Sequence, residues 1–337
     1  MSRIHVTLKD IARVAGVSTA TASLALAGDP RVNVKTKRLV EEVAKRLNYV
    51  PNEIGRSLRA KKAETIAFIF PNSPHFAFTH PYFSQLLEGI SEVLVENSFH
   101  LMLSVAPSEA NESAAYDKIL RNRRADGIIL WPASIRDRNI MKIVESGFPV
   151  VYLGRWHHEE IATVEREDIG GAYKATDHLL KQGRKRIVHL SGPQEYQVSI
   201  DRLEGYKRAL QEHKVLLDPA FVMEKDFSME GGAEAVKELL ASGMRFDAIF
   251  SANDRMAIGA MKELQESGIR IPEEVAIVGY DNIEMAAMMS PGLTTIDQPM
   301  KEIGRLAAAK MMAMLSEEDV GELRTVVPAR LIIRGTA

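Results

Sequence analysis

The residue patterns that most often mark catalysis are poorly served in this chain. Trp156-His157-His158 offers two imidazoles, but adjacent side chains splay apart and no third ligand stands at suitable spacing, so the segment reads as a solvated loop or cleft rim. There is no cysteine, hence no thiolate nucleophile, thiolate metal site or disulfide framework. No Gly-x-Gly triplet occurs and no nucleophile–base pair stands out, so a nucleotide-dependent enzyme finds no footing, and neither cofactor nor metal is expected. The chemistry left is recognition. Residues 1–62 carry 13 Lys/Arg against 5 Asp/Glu, a net charge of +8, whereas residues 63–337 carry 30 against 40. The overall net charge of −2 conceals a basic head on an acidic body. A basic module at one end implies a polyanionic partner for that module, because each neutralised phosphate releases counterions.

The elements that must position those charges are short helices. Thr7-Leu8-Lys9-Asp10 is a helix start, a hydroxyl cap answered by an acid three residues on. Ile11, Ala12 and Val14 continue at helical spacing, and Ala15-Gly16-Val17 makes a tight turn. Ser18 caps a second helix running to about Leu26, Asp29-Pro30 breaks it, and Asn33 caps a third through Val40, Val43 and Leu47. Two short helices joined by a turn of this length form a helix-turn-helix, whose second helix enters the major groove. On that helix Ala22, Ala25 and Leu26 face the other helices, while Thr19, Ala20, Ser23, Leu24 and Ala27 face outward; a core role for Leu24 is the alternative.

These residues, with Asn48-Tyr49-Val50-Pro51-Asn52 and Arg56-Ser57-Leu58-Arg59, closely resemble the head of the lactose/galactose repressor family of bacterial transcription regulators. The resemblance runs through nearly the whole chain, to Pro328-Ala329-Arg330-Leu331. It implies base contacts from Thr19, Ala20 and Leu24, and phosphate contacts from Ser18, Thr21, Ser23, Asn33 and Thr36, with Thr7 and Arg31 as further DNA-binding residues. Most members carry Arg at the place of Leu24 and Asn at that of Ala27. Asn52 to Ala60 is too short for a stable isolated helix and should fold when DNA and a second subunit support it. By resemblance, Leu58 wedges into the minor groove beside Arg56. A linker packed on the following domain is the alternative.

Beyond the head, short apolar runs alternate with amphipathic helices. Residues 65–70, 101–105, 127–130, 150–153, 187–190, 248–250 and 275–278 read as buried parallel strands. The fold expected is an N-terminal all-α helix-turn-helix domain plus an α/β core of two doubly wound parallel-sheet lobes, similar to periplasmic binding proteins. The expected domains are 1–50, a hinge at 51–62 and a core at 63–337. Its first lobe takes about 63–161 plus 294–320, and its second about 162–293 plus 321–337. The match between Ala125-Asp126-Gly127-Ile128-Ile129 and Phe246-Asp247-Ala248-Ile249-Phe250 hints at internal duplication.

Ligands of open α/β sheets sit beyond the carboxyl ends of the strands, so two facing lobes make a small-molecule cleft. The resemblance places effector contacts at Tyr82 and Phe83, whose aromatic faces suit pyranose rings, and at Arg155, where Gly154 removes an acid common in relatives. It adds Arg202, Phe227, Asn253, Asp281 and Gln298. Asn253 and Asp281 could instead cap helices. Met285, Met288 and Met289 fall where relatives form part of a dimer contact, or are ordinary core.

Together these imply a repressor that binds a pseudo-palindromic double-stranded DNA operator as a homodimer, switched by a small-molecule effector. A sugar is the first choice, a purine-like corepressor or a partner protein the alternative. No apolar stretch of 18 residues exists and the N-terminus lacks the apolar core of an export signal, so a soluble cytoplasmic protein without membrane contact is expected. A periplasmic binding protein would need such a signal and would have no use for the basic head. No heptad tail follows the last strand, which favours a dimer over a tetramer.

Overall fold

The structure is a computed structural model, described for residues 6–49, 62–70, 81–106, 109–131, 139–156 and 161–337. The chain divides into two compact units, Met1–Ala63 and Glu64–Ala337. The expected hinge residues Arg56 and Leu58, and His157 and His158, lie outside the described residues.

The first unit is built from α1 (Leu8–Ala15), α2 (Thr19–Leu26) and α3 (Val34–Arg46). Each start is chemically specified. Asp10 Oδ2 accepts from the Thr7 amide at 3.0 Å and its hydroxyl at 2.7 Å, Ser18 Oγ accepts from Thr21 N at 3.0 Å, and Asn33 Oδ1 accepts from Thr36 N at 2.8 Å. α1 ends at Gly16 with φ 64°, a conformation in which a Cβ would be strained. Small side chains let the three helices approach closely. Ile11, Ala12, Ala15, Ala22, Ala25, Val40, Val43 and Ala44 form the core, with Leu8, Val17, Leu26 and Leu47 packed against it.

The second unit holds two sheets. The first joins β1 (Thr65–Phe70), β2 (His100–Val105), β3 (Gly127–Leu130), β4 (Val150–Tyr152), β5 (Ala162–Arg166) and β11 (Arg324–Val327). Their order is β2-β1-β3-β4-β5-β11, parallel throughout. The second joins β6 (Ile187–Ser191), β7 (Val222–Glu224), β8 (Ala248–Ser251), β9 (Ala276–Asp281), β10 (Thr294–Asp297) and β12 (Arg330–Ile332). Their order is β7-β6-β8-β9-β10-β12, parallel except for the antiparallel β12. Five strands of each sheet thus follow one winding, as the sequence hint of duplication requires, with β3 and β8 in equivalent places. Asp126 and Asp247 precede those two strands, and each accepts from backbone amides at the start of the neighbouring strand.

Helices cover both sheets. In the first lobe α4 (Pro81–Glu96) packs on α12 (Met300–Leu315). In the second, α7 (Asp168–Lys181) packs on α8 (Gln197–Glu212), and α9 (Met229–Ala241) on α10 (Asp254–Glu266).

Sheet membership moves the expected lobe boundaries. β5 and β11 pair with each other in the first sheet, and β10 pairs with β9 in the second. The chain therefore crosses between lobes after Arg166, after Asp297 and after Val327. The expectation put residues 162–166 and 324–327 in the second lobe and 294–297 in the first. These strands carry charged or hydroxylated side chains and show no apolar run; their place is fixed by pairing.

Candidate functional site

On the first unit, α2 presents the face its periodicity implies. Ala22 and Ala25 are buried, whereas Thr19, Ala20 and Ala27 are exposed and Ser23 and Leu24 half-buried. Leu24 is not part of the core; with Thr21, Arg31, Val32, Asn33 and Thr36 it lines an open depression beside the helix. Ser18 and Asn33 are caps, and the N-termini of α2 and α3 that they close carry the partial positive charge that suits phosphate. Thr7 is engaged with Asp10. Arg31 is exposed, yet its guanidinium already forks onto Asp29, Nε to Oδ1 at 3.0 Å and Nη2 to Oδ2 at 2.8 Å. The Arg31 side chain holds the Asp29 carboxyl down at about 2, so a phosphate would have to share a charged, satisfied cation.

In the second unit the residues of interest gather at the carboxyl ends of the strands: Trp131 after β3, Arg155 after β4, Arg166 ending β5, Gly192 after β6, Asn253 after β8, Asp281 ending β9 and Gln298 after β10. Arg202, on α8, is 4% exposed and lies over the Tyr280 ring at 3.7 Å. Its Nε and Nη2 donate to Asp168 Oδ1 at 3.0 and 2.9 Å, its Nη1 donates to the Ala252 carbonyl, and Nη2 stands 3.5 Å from Asp281 Oδ1. Gln298 Nε2 donates to the same Asp168 oxygen at 3.0 Å, and Arg166 Nε reaches Oδ2 at 3.1 Å.

Burial pushes the Asp168 carboxyl up, but Arg166 and Arg202 outweigh it and hold Asp168 below the usual carboxylate range. Asp281 goes the other way: burial lifts it to about 6 against the pull of Arg202 and Arg166.

Glu167 and Asp168 also tie the three crossovers together. Glu167 Oε2 accepts from the Ala329 amide at 3.0 Å and from Lys174 Nζ at 2.8 Å, and Lys174 also donates to the Ala329 carbonyl at 2.9 Å. Gln298, on the second crossover, reaches Asp168 on the first. The interlobe crossovers and the charge cluster of the cleft are therefore one hydrogen-bonded assembly.

The remaining expected residues divide. Phe227, at φ 66°, lays its ring over Gly192, where a Cβ would stand 1.9 Å from the ring, and its carbonyl accepts from Asn253 Nδ2 at 2.9 Å. Asn253 Oδ1 accepts from Met256 N at 2.9 Å, so its side chain caps α10 and both ends are engaged. Asp281 caps no helix; the carboxylate that meets the Ile283 amide belongs to Asp254. Phe83 is a correction: at 2% exposure it packs edge-on between Phe70 at 4.7 Å and Trp131 at 4.9 Å, in the first-lobe core instead of on a free wall. The periodicity of α4 turns that ring toward the sheet. Tyr82 belongs to α4. Arg155 Nη2 meets Asp201 at 2.7 Å, joining the lobes. Met285 and Met288 are exposed on the short α11 (Glu284–Met288), whereas Met289 packs against the second-lobe core.

Sequence reasoning missed Arg166, Asp168, Asp201 and Trp131, over whose ring the Arg166 guanidinium lies at 4.8 Å. An Arg-x-Asp at a strand-to-helix junction was the one available signal. Asp201 adjoins Arg202 but lies 46 residues from its partner Arg155.

A helix-turn-helix unit followed by two doubly wound lobes around a polar cleft defines a ligand-gated DNA-binding regulator by class. Residues 7–52 match the family of bacterial regulatory proteins, lacI family, and residues 176–337 match the periplasmic binding protein-like domain. The HTH-type transcriptional regulator CelR of Thermobifida fusca is 31% identical over 331 residues, 97% of both chains. The HTH-type transcriptional repressor CytR of Escherichia coli K12 is 31% identical over 337 residues, 98% of this chain and 96% of that one. Among solved structures, a CelR–cellobiose complex has a TM-score of 0.77 at 30% identity, covering 98% of this chain and 100% of that one. A lac repressor dimer bound to operator and the anti-inducer ONPF has a TM-score of 0.87 at 26% identity, covering 98% of each. The chain belongs to the lacI family of bacterial regulatory proteins. Among the described residues no helix is long and apolar enough to cross a membrane.

Proposed function

We propose that the protein is a cytoplasmic transcriptional repressor that binds a pseudo-palindromic operator as a homodimer and releases or tightens it when a sugar enters the interlobe cleft. The observation that carries this reading is the convergence of Arg202 and Gln298 on one oxygen of Asp168, at the crossover between lobes. A ligand that engages Arg202, Asp281 or Gln298 competes for bonds that also hold the crossovers, so occupancy and lobe angle are linked. Sugar hydroxyls donate and accept at once, which suits a cleft where guanidinium donors and carboxylate acceptors alternate. A CelR structure holds cellobiose, and another relative is a ribose operon repressor, which supports a sugar.

The base-reading residues in this account are Thr19, Ala20 and Leu24, with Ser18, Thr21, Ser23, Asn33 and Thr36 on phosphates and Arg56 and Leu58 in the minor groove. Selection of operators from randomised DNA by the full chain, then competition with cellobiose and ribose, tests the proposal. A defined palindrome whose affinity responds to a sugar is expected; retention of all DNA equally would overturn it.

A further inference from the structure

Two ionic knots border the cleft, and only one is complete. Asp168 spends both oxygens on Arg166, Arg202 and Gln298. Asp201 does not. Its Oδ1 accepts from Gln197 Nε2 at 2.8 Å and stands 2.7 Å from Arg155 Nη2 as an ion pair, while Oδ2 accepts from no described residue. Arg155 Nε is buried without a partner. One turn away from Arg202 on the same helix, Ser199 is fully buried and its hydroxyl is likewise unpartnered. Taking an ion pair out of water is costly unless the remaining donors and acceptors are satisfied, so this pair leaves capacity for a polar ligand.

The charges set the kind of ligand. Among the described residues, Arg155, Arg166 and Arg202 face Asp168, Asp201 and Asp281, three cations against three anions. An anionic ligand would leave one carboxylate without its partner, whereas a neutral polyol adds hydrogen bonds and no charge.

We propose that Arg155 and Asp201 form a polar subsite that reads two adjacent hydroxyls of a neutral sugar, with Asp201 a specificity-determining residue that neither the family resemblance nor the sequence pattern assigns. Asp201 Oδ2 accepts a hydrogen bond from one hydroxyl, and Arg155 donates one to the neighbouring hydroxyl oxygen. Arg155 follows β4 of the first lobe and Asp201 lies on α8 of the second, so a diol held there touches both lobes. The inference rests on the sugar reading of the cleft.

Calorimetric titration of the full chain with cellobiose and ribose, and with deoxy analogues lacking one of two adjacent hydroxyls, is the test. The wild type should bind one parent sugar and disfavour at least one analogue by about tenfold or more, the worth of a hydrogen bond to a charged group. Asp201→Asn should erase most of that preference, and Arg155→Gln, which keeps a donor but loses the fork, should reduce it. If both variants weaken parent and analogue equally, the pair is only a tie between lobes and the subsite is refuted. An unchanged preference refutes it too. Failure of both sugars to bind the wild type would instead overturn the sugar reading, and the subsite with it.

Discussion

The two lobes share one strand winding yet are built of different chemistry. The first is aromatic and dry near the cleft: Phe68, Phe70, Phe83 and Trp131 stack edge to face at 4.6, 4.7 and 4.9 Å. The second buries Asp168, Asp201, Arg202, Asp254, Thr295 and a neutral His189 between the rings of Tyr206 and Phe250. A duplicated framework tolerates either filling, because strand order is fixed by backbone pairing and alternating burial while the carboxyl ends of the strands are free to vary. The second lobe supplies most of the polar side chains at the cleft, and the first supplies Arg155, Arg166 and an apolar wall.

Arg202→Leu should break the contrast most severely. It leaves Asp168 and Asp281 buried with less compensation, so the core should lose about 3–5 kcal/mol of stability and the effector response should vanish. Chemical denaturation and a ligand-response assay on operator DNA check both parts; a stable variant with normal response would remove Arg202 from the site.

His189 offers a pH-resolved version. Burial pulls its imidazole down to about 4 from 6.5, so the folded state prefers the neutral ring. Its contribution is complete above pH 6.5 and is lost as pH falls through 6.5 toward 4, about 3 kcal/mol in all. Asp281, lifted to about 6, works oppositely, gaining stability as pH falls over an overlapping window, so the wild-type curve alone is uninformative. The difference between His189→Phe and wild type isolates the histidine: it should shift in the variant's favour by about 3 kcal/mol from pH 7 to pH 4. A pH-independent difference would contradict the buried neutral ring.

The contrast extends to the head, where the outward face of α2 in the proposed reading carries apolar groups. Ala20 and Leu24 offer only hydrocarbon, suited to a thymine methyl, so Leu24→Arg should move one symmetric base pair toward G·C by about 1–3 kcal/mol per half-site. In-vitro selection on both proteins decides, and identical selected sequences would take residue 24 off the base-reading face.

The smallest effect concerns the duplicated acids. Asp247 accepts from the Lys185 and Arg186 amides at 3.2 and 2.9 Å, Asp126 from the Thr65 amide at 3.3 Å. Asp247→Ala and Asp126→Ala should each cost about 1–2 kcal/mol; a loss confined to one of them in denaturant melts would undo the equivalence of the two positions.

Much of this was legible from local pattern. Thr7, Ser18 and Asn33 announce three helix starts because a short hydroxyl or amide side chain competes for the first free amides. The seven apolar runs are all strands, and in six of them double-sided burial leaves the continuous signature; the seventh, β2, was expected to be buried but is an edge strand with none of its residues buried and Leu103 exposed, a correction. β5, β7, β10 and β11 escaped, being short or carrying residues such as Glu165 and Asp297, which owe their place to partners such as Arg324 and Asn282. The cluster was legible in part: Arg202, Asp281 and Gln298 stand together at the carboxyl ends of the strands, while Phe83 packs in the first-lobe core. Asp168 and Asp201 were invisible because their partners come together only when the crossovers form.

The central claim is that one sugar in the cleft sets operator affinity through the Asp168 assembly. Its most direct test is fluorescence anisotropy of the full chain on its selected operator, with and without saturating cellobiose or ribose. Operator affinity should change by about 5- to 150-fold, the usual range of allosteric coupling, and that change should collapse in Asp168→Asn. An operator affinity indifferent to a sugar that demonstrably binds the core would contradict the account.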